Sequence, residues 1–218
     1  CKGVCDRVEQ YQIPEEIKQK WCVANECKDG ILVDALTDYI GKIPKDDQTP
    51  RLVVLHQLGS HGPAYYKRAP DEFRHFKPFC DTNAIQGCSS EQLVNVYDNS
   101  IVYTDHILNQ VIEVLKKQSH YRTGFWYLSD HGESTGERGM YLHGAPYAMA
   151  PSQQTHVPMM MWFSDQWAAN AADQVACLSR QKSTELSQDN LFPSLLSLLD
   201  VKSEVIDINN DMLQRCKV

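Results

Sequence analysis

Strands alternating with helices along 218 residues predict an α/β layered fold with a largely parallel sheet. Short β-branched or aromatic runs at 51–56, 123–128 and 157–163 supply the strands, and helical periods at 29–40, 90–118 and 190–199 supply the helices. Two of the three strands lead straight into loops bearing glycine and histidine. In such sheets ligands sit beyond the carboxyl ends of the strands, so chemistry is expected there.

Residues 1–30 are polar, cysteine-bearing and without clear period. From Asp29, a candidate N-cap, Ile31, Leu32, Ala35, Leu36, Tyr39 and Ile40 recur at helical spacing, and the helix stops before Gly41 and Pro44. A polar linker, KDDQTP, precedes the buried strand RLVVLH at 51–56, and the loop GSHGPAYY follows at 59–66. The longest helix, about Ser90 to Gln118, opens with a capping box between Ser89 and Gln92. Leu93, Val96, Tyr97, Ile101, Thr104, Leu108, Val111 and Leu115 form its apolar face. TGFWYL at 123–128 ends at Ser129-Asp130-His131-Gly132, and VPMMMWF at 157–163 is a third strand whose methionines are sheet core. A last helix, about Asn190 to Leu199, precedes the tail holding Cys216.

Composition narrows the function classes. The chain is 42% hydrophobic and 22% charged, a globular balance that excludes disorder. Its net charge of −7 argues against nucleic acid, whose phosphates need clustered Lys and Arg. No apolar run approaches the roughly 18 residues that span a bilayer. A start at Cys1, with no initiator Met and no leader-like segment, reads as a processed product or a piece of something larger.

Eight cysteines fall in three close pairs and one distant pair, which reads as four disulfides and an oxidising compartment. Chain entropy assigns about 2 kcal/mol to each of the two shortest loops and about 4 kcal/mol to a closure between Cys177 and Cys216. A zinc ribbon built from Cys1, Cys5, Cys22 and Cys27 is the competing reading, and a lipid-modified Cys1 is a third.

Asp130 and His131 lie where the chain leaves a strand, the one place where adjacent side chains can reach a single ion. Gly132 permits a turn there. A carboxylate oxygen beside an imidazole nitrogen suits zinc. The segment 132–144 that follows holds four of the eleven glycines and ends near His143, while His61 sits in the other strand-end loop. His56 belongs to a strand end, and His75, His106, His120 and His156 have no partner in the pattern. Ser129 and Ser134 lack the strand–GxSxG–helix frame of an activated serine, and Thr135 follows the metal pair within its loop.

LHQLGSHGPAYYKR at 55–68 and YLSDHGESTGERGMYLHGAPY at 127–147 resemble the phosphoethanolamine transferases that modify lipid A, the family that includes the plasmid-borne colistin-resistance enzymes. KGV at 2–4, DALTDYI and NVYDNSIVYTD at 95–105 extend the likeness over nearly the whole chain. The resemblance implies an α/β/α sandwich of the alkaline phosphatase and sulfatase type, here a partial domain over residues 1–218. It implies the pairs Cys1–Cys5, Cys22–Cys27 and Cys80–Cys88, and leaves Cys177 for Cys216. It further implies zinc as cofactor, phosphatidylethanolamine as donor, a lipid A phosphate as acceptor, and a place at the periplasmic face of the bacterial inner membrane, with polymyxin resistance as the phenotype. Asp130 and His131 match zinc ligands, His61 and His143 match residues that bind the phosphoryl group or a second zinc, and Lys2 matches a substrate-binding lysine. Acceptors in the lipopolysaccharide core, or hydrolysis by a phosphodiesterase or sulfatase of the same fold, are the alternatives.

The family's nucleophilic threonine, its glutamate ligand and its membrane helices lie in an upstream stretch that has no counterpart here. The chain therefore reads as the C-terminal half of a periplasmic catalytic domain that meets the membrane surface through its missing N-terminal part. The isolated 218-residue chain is expected to transfer no phosphoethanolamine. An assay with a fluorescent phosphatidylethanolamine donor checks this, and measurable turnover refutes it.

Overall fold

The computed structural model describes residues 6–24 and 26–216, so the expected Cys1–Cys5 pair and the substrate lysine Lys2 lie outside the described residues. The chain forms two compact units. The first comprises the residues up to Asp47, Leu52–Lys117 and Tyr127–Met160; the second comprises Gln48–Arg51, Gln118–Trp126 and the residues from Met161 on.

In the first unit, α1 (Glu15–Trp21) leads into a short hairpin of β1 (Cys22–Val23) and β2 (Glu26–Cys27), closed by the Cys22–Cys27 disulfide. The two thiols of the proposed ribbon knuckles are thus bonded to each other, which removes the zinc-ribbon reading. α2 (Gly30–Gly41) buries Ile31, Val33, Ala35 and Leu36. Its backbone is fastened to the next helix where Gly30 N donates to Tyr103 Oη at 3.0 Å.

α3 (Ser90–Lys116) forms with the expected capping box: Ser89 Oγ accepts from Gln92 N, and the Gln92 side chain accepts from Ser89 N. The buried stripe is Leu93, Val96, Asn99, Ser100, Tyr103, Thr104, Ile107, Leu108 and Val111. Ile101, expected on this face, is exposed, because the 3.6-residue period turns it away from Asn99 and Ser100. Asn99 is buried as a clamp, accepting from Phe76 N at 2.8 Å and donating to Phe76 O at 3.0 Å. Tyr65, Cys80, Ile85, Leu93 and Val96 form the core beneath, stapled by Cys80–Cys88.

The expected strand at 51–56 does not form. Leu52, Val53 and Val54 are 51%, 41% and 59% exposed, and no strand among the described residues pairs with them. A strand exists only through a neighbour's ladder, which local composition cannot supply. The other two runs do pair, as β3 (Gly124–Leu128) and a later strand, β6. Between them lie the hairpin β4 (Ser134–Thr135) and β5 (Tyr141–Leu142), then one turn of helix, α4 (Ser152–Thr155). β6 spans Met159–Phe163. Ser164 N donates to Thr123 O at 2.9 Å, and Ser129 N donates to Pro158 O at 3.3 Å. The start of each strand therefore lies against the end of the other, the antiparallel sense. The largely parallel sheet is corrected for the described residues, where this pair and the two short hairpins are all antiparallel. Met159 and Met160 are likewise part-exposed instead of core.

In the second unit, α5 (Asp165–Asn170) and α6 (Ala172–Arg180) are followed by α7 (Leu191–Leu198), the expected last helix. The tail is fixed by Cys177–Cys216 and by buried bonds, Met212 N to Ser194 Oγ at 2.8 Å and Leu213 N to Asp211 Oδ1 at 2.8 Å. No helix among the described residues is long and apolar enough to cross a membrane.

Candidate metal centre

Three segments of the first unit deliver one histidine each. His61 comes from the loop before Tyr65, His131 from the exit of β3, and His143 from the residue after β5. Their ring centroids are 5.7 Å apart for His61 and His131, 4.9 Å for His61 and His143, and 3.8 Å for the stacked pair His131 and His143. One nitrogen from each ring lies within 4.8 Å of the others.

The proton positions follow from the partners. His61 Nδ1 faces Gly62 O at 2.6 Å, His131 Nδ1 faces Gly132 O at 3.0 Å, and His143 Nδ1 faces Glu133 Oε1 at 3.0 Å. Carbonyl and carboxylate oxygens only accept, so each neutral ring carries its proton on Nδ1. Each Nε2 is left with its lone pair, the form in which imidazole binds a metal.

Each histidine has its own support. The His61 loop is held by Asp29, whose carboxylate accepts from Leu58 N at 3.0 Å and Gly59 N at 2.7 Å. Gly59 adopts φ +56, a left-handed turn that glycine makes without strain. Asp29 was expected to cap α2; it makes no cap bond, because the loop's amides occupy its carboxylate instead. Arg68 Nε donates to His61 O at 2.7 Å, and burial pushes its guanidinium below the ordinary value. His131 is steadied by Ser129 Oγ, which donates to His131 O at 2.8 Å. Gly132 is needed for a close approach and not for a special turn: its amide donates to Gln154 O at 2.9 Å, and a Cβ there would sit 1.9 Å from Gln153 O.

The β4–β5 register, Ser134 opposite Leu142, extends by one step to set Glu133 opposite His143. Glu133 is only 6% exposed. It accepts from Tyr65 Oη at 2.8 Å and from Gly62 N at 3.2 Å besides meeting His143. Burial, and then the Glu133 charge, push the Tyr65 phenol well above its ordinary value, so it stays a donor. Beneath the hairpin, buried Gln154 donates to Ser134 Oγ at 2.9 Å and accepts from Ala145 N at 3.3 Å. A shallow cavity of about 240 Å³ opens beside His131 and His143, walled by Ala145, Tyr147, Ala150 and Thr155.

The sequence-predicted residues thus meet in part. His61, His131 and His143 converge; Asp130 lies at the rim, its exposed Oδ1 3.9 Å from His131 Nε2. His56 is exposed, and His106 packs against Phe73 with centroids 4.7 Å apart. Ser134 and Thr135 are engaged with Gln154 and Glu137, as structural residues. Glu133, Gln154 and the loop-holding role of Asp29 were not anticipated. For Glu133 a signal existed, since folding residues 133–143 as a hairpin pairs it with His143. For the other two none did.

A model of the family described as Sulfatase matches residues 2–201. Phosphoethanolamine transferase EptA of Salmonella typhimurium is 46% identical over 219 residues, covering 100% of this chain and 39% of that protein. Kdo(2)-lipid A phosphoethanolamine 7''-transferase of Escherichia coli is 37% identical over 158 residues, 72% of this chain and 26% of that protein. The crystal structure of the soluble domain of lipooligosaccharide phosphoethanolamine transferase A from Neisseria meningitidis superposes with a TM-score of 0.89 at 39% identity, covering 100% of this chain and 65% of that one. The chain therefore spans well under half the length of the curated relatives it matches.

Proposed function

This chain belongs to the sulfatase family, and from that premise we propose that it is part of the catalytic domain of a zinc-dependent transferase moving phosphoethanolamine from phosphatidylethanolamine to a phosphate of lipid A. The observation that carries the reading is the convergence of one nitrogen from each of three imidazoles within 4.8 Å, in a chain whose similar proteins are named phosphoethanolamine transferases. Imidazoles whose Nδ1 protons are already committed, beside an exposed carboxylate at the rim, are a donor set that suits zinc.

Asp130 and His131 are assigned to the primary zinc, whose remaining ligands, a glutamate and the nucleophilic threonine, belong to residues upstream of this chain. Zinc supplies there a lowered pKa for the attacking hydroxyl. His61 and His143 face the group in transfer: each Nε2 can hold a second zinc, or take up a proton and donate it to a phosphoryl oxygen. Lys2 adds a positive charge for the substrate phosphate. The cavity beside His131 and His143 gives the headgroup a place next to those nitrogens. Disulfides at Cys22–Cys27, Cys80–Cys88 and Cys177–Cys216 support an oxidising compartment, and so the periplasmic face of the inner membrane.

The test uses the full-length gene and its Asp130→Ala variant in a polymyxin-sensitive Gram-negative host, reading the lipid A mass spectrum. A phosphoethanolamine adduct in the first and its loss in the second are expected. Unmodified lipid A from a folded, zinc-loaded wild type overturns the acceptor assignment and moves it to the lipopolysaccharide core.

A further inference from the structure

A buried carboxylate is costly unless its oxygens are hydrogen-bonded. Glu133 meets that cost with three donors that come from both sides of the metal centre. Oε2 takes the Tyr65 hydroxyl at 2.8 Å; Oε1 takes Gly62 N at 3.2 Å and the His143 ring at 3.0 Å. Gly62 is the residue next to His61, and its carbonyl is the acceptor for His61 Nδ1. One carboxylate therefore holds both Gly62, the residue whose carbonyl faces His61 Nδ1, and the ring of His143.

The three histidines are not held alike. His61 and His131 each turn Nδ1 to a neighbouring backbone carbonyl, whereas His143 turns it to a charged side chain. A carboxylate partner strengthens the donor power of the opposite nitrogen as well as aiming it. The hydroxyl of Tyr65 and the amide of Gly62 would hold Glu133 in place without His143, so packing alone does not call for the third contact.

We propose that Glu133 is a positioning residue, which locks His143 in its Nδ1–H form and aims the Nε2 lone pairs of His143 and His61 at one common point. The proposal rests on the metal-centre reading for its zinc readout alone; the tautomer readout is independent of it. Long-range proton–nitrogen correlation spectra of the ¹⁵N-histidine-labelled 218-residue chain, in alkaline buffer where imidazoles are neutral, report the His143 tautomer directly. The Nδ1–H form is expected in the wild type. Glu133→Gln keeps an accepting oxygen and is expected to retain that form, whereas Glu133→Ala is expected to give a tautomer mixture.

Zinc titration by calorimetry on the same three proteins is expected to show affinity weakened about 10- to 100-fold in Glu133→Ala, with a smaller loss in Glu133→Gln. An Nε2–H form of His143 in the wild type overturns the proposal without any variant having to fold. So does a folded Glu133→Ala that keeps the wild-type tautomer and zinc affinity. Absence of zinc binding in the wild type with the Nδ1–H form present leaves the positioning role standing and removes the second-zinc role of His61 and His143.

Discussion

Full-length protein carrying His131→Ala is expected to leave lipid A unmodified and to return polymyxin susceptibility to that of the host. His131 is stacked on His143 at 3.8 Å, edge-on to His61 at 5.7 Å, and next to Asp130. Its removal takes a nitrogen donor from the assigned primary zinc. Loss of one preorganised group at a charge-developing centre typically costs 10²–10³ in rate, about 3–4 kcal/mol; loss of a ligand is expected to reach or exceed that. Metal analysis of the purified variant should show zinc falling in parallel. His156→Ala, on an exposed residue outside the cluster, is the matched control and should retain both zinc and activity. Equal activity in the two variants refutes the assignment of His131.

Gly132→Ala is expected to be the most damaging single-methyl change in the site. The added Cβ would meet Gln153 O at 1.9 Å and Gln153 C at 3.0 Å. Both are backbone atoms that no rotamer change removes. The Gly132 amide bond to Gln154 O, at 2.9 Å, holds the two segments at that separation, so relief requires breaking it. An overpacked backbone contact of this kind costs about 3 kcal/mol. Gly139→Ala offers the comparison: nothing lies within 4 Å of its Cβ position, but its φ of +73 is left-handed, for a cost of about 1 kcal/mol. Urea midpoints of the two variants should therefore separate, with Gly132→Ala lower. Displacement of Gly132 also moves its neighbour His131, so zinc affinity should drop in Gly132→Ala and hold in Gly139→Ala. A Gly132→Ala midpoint no lower than that of Gly139→Ala overturns the close-approach argument.

How far the sequence spoke for itself depended on how local each decision was. The α3 start was legible because a capping box is settled within four residues, Ser89 to Gln92. The Cys22–Cys27 and Cys80–Cys88 disulfides were legible because their partners lie only five and eight residues apart. The convergence of the three histidines was legible in their glycine-bearing loops, although the strand end expected before His61 does not form and Asp29 holds that loop instead. Asp29 shows the opposite case. Its neighbours spell an N-cap, yet its carboxylate serves amides about thirty residues on, a choice made by tertiary packing. Leu52 to Val54 read as a buried strand by composition, and burial depends on partners that composition does not name. The sense of the β3–β6 pair, too, depends on the connection's path and not on either strand's residues.

The unpaired stretch at 52–54 also has a consequence for self-association at high concentration. Leu52, Val53 and Val54 offer adjacent apolar side chains on both faces, with no ladder partner among the described residues. Low charge, β-branching and free backbone donors are the ingredients of strand-to-strand self-association. Charged substitutions at residues 52–54 are therefore expected to lower self-association of the 218-residue chain at high concentration, as light scattering would read it.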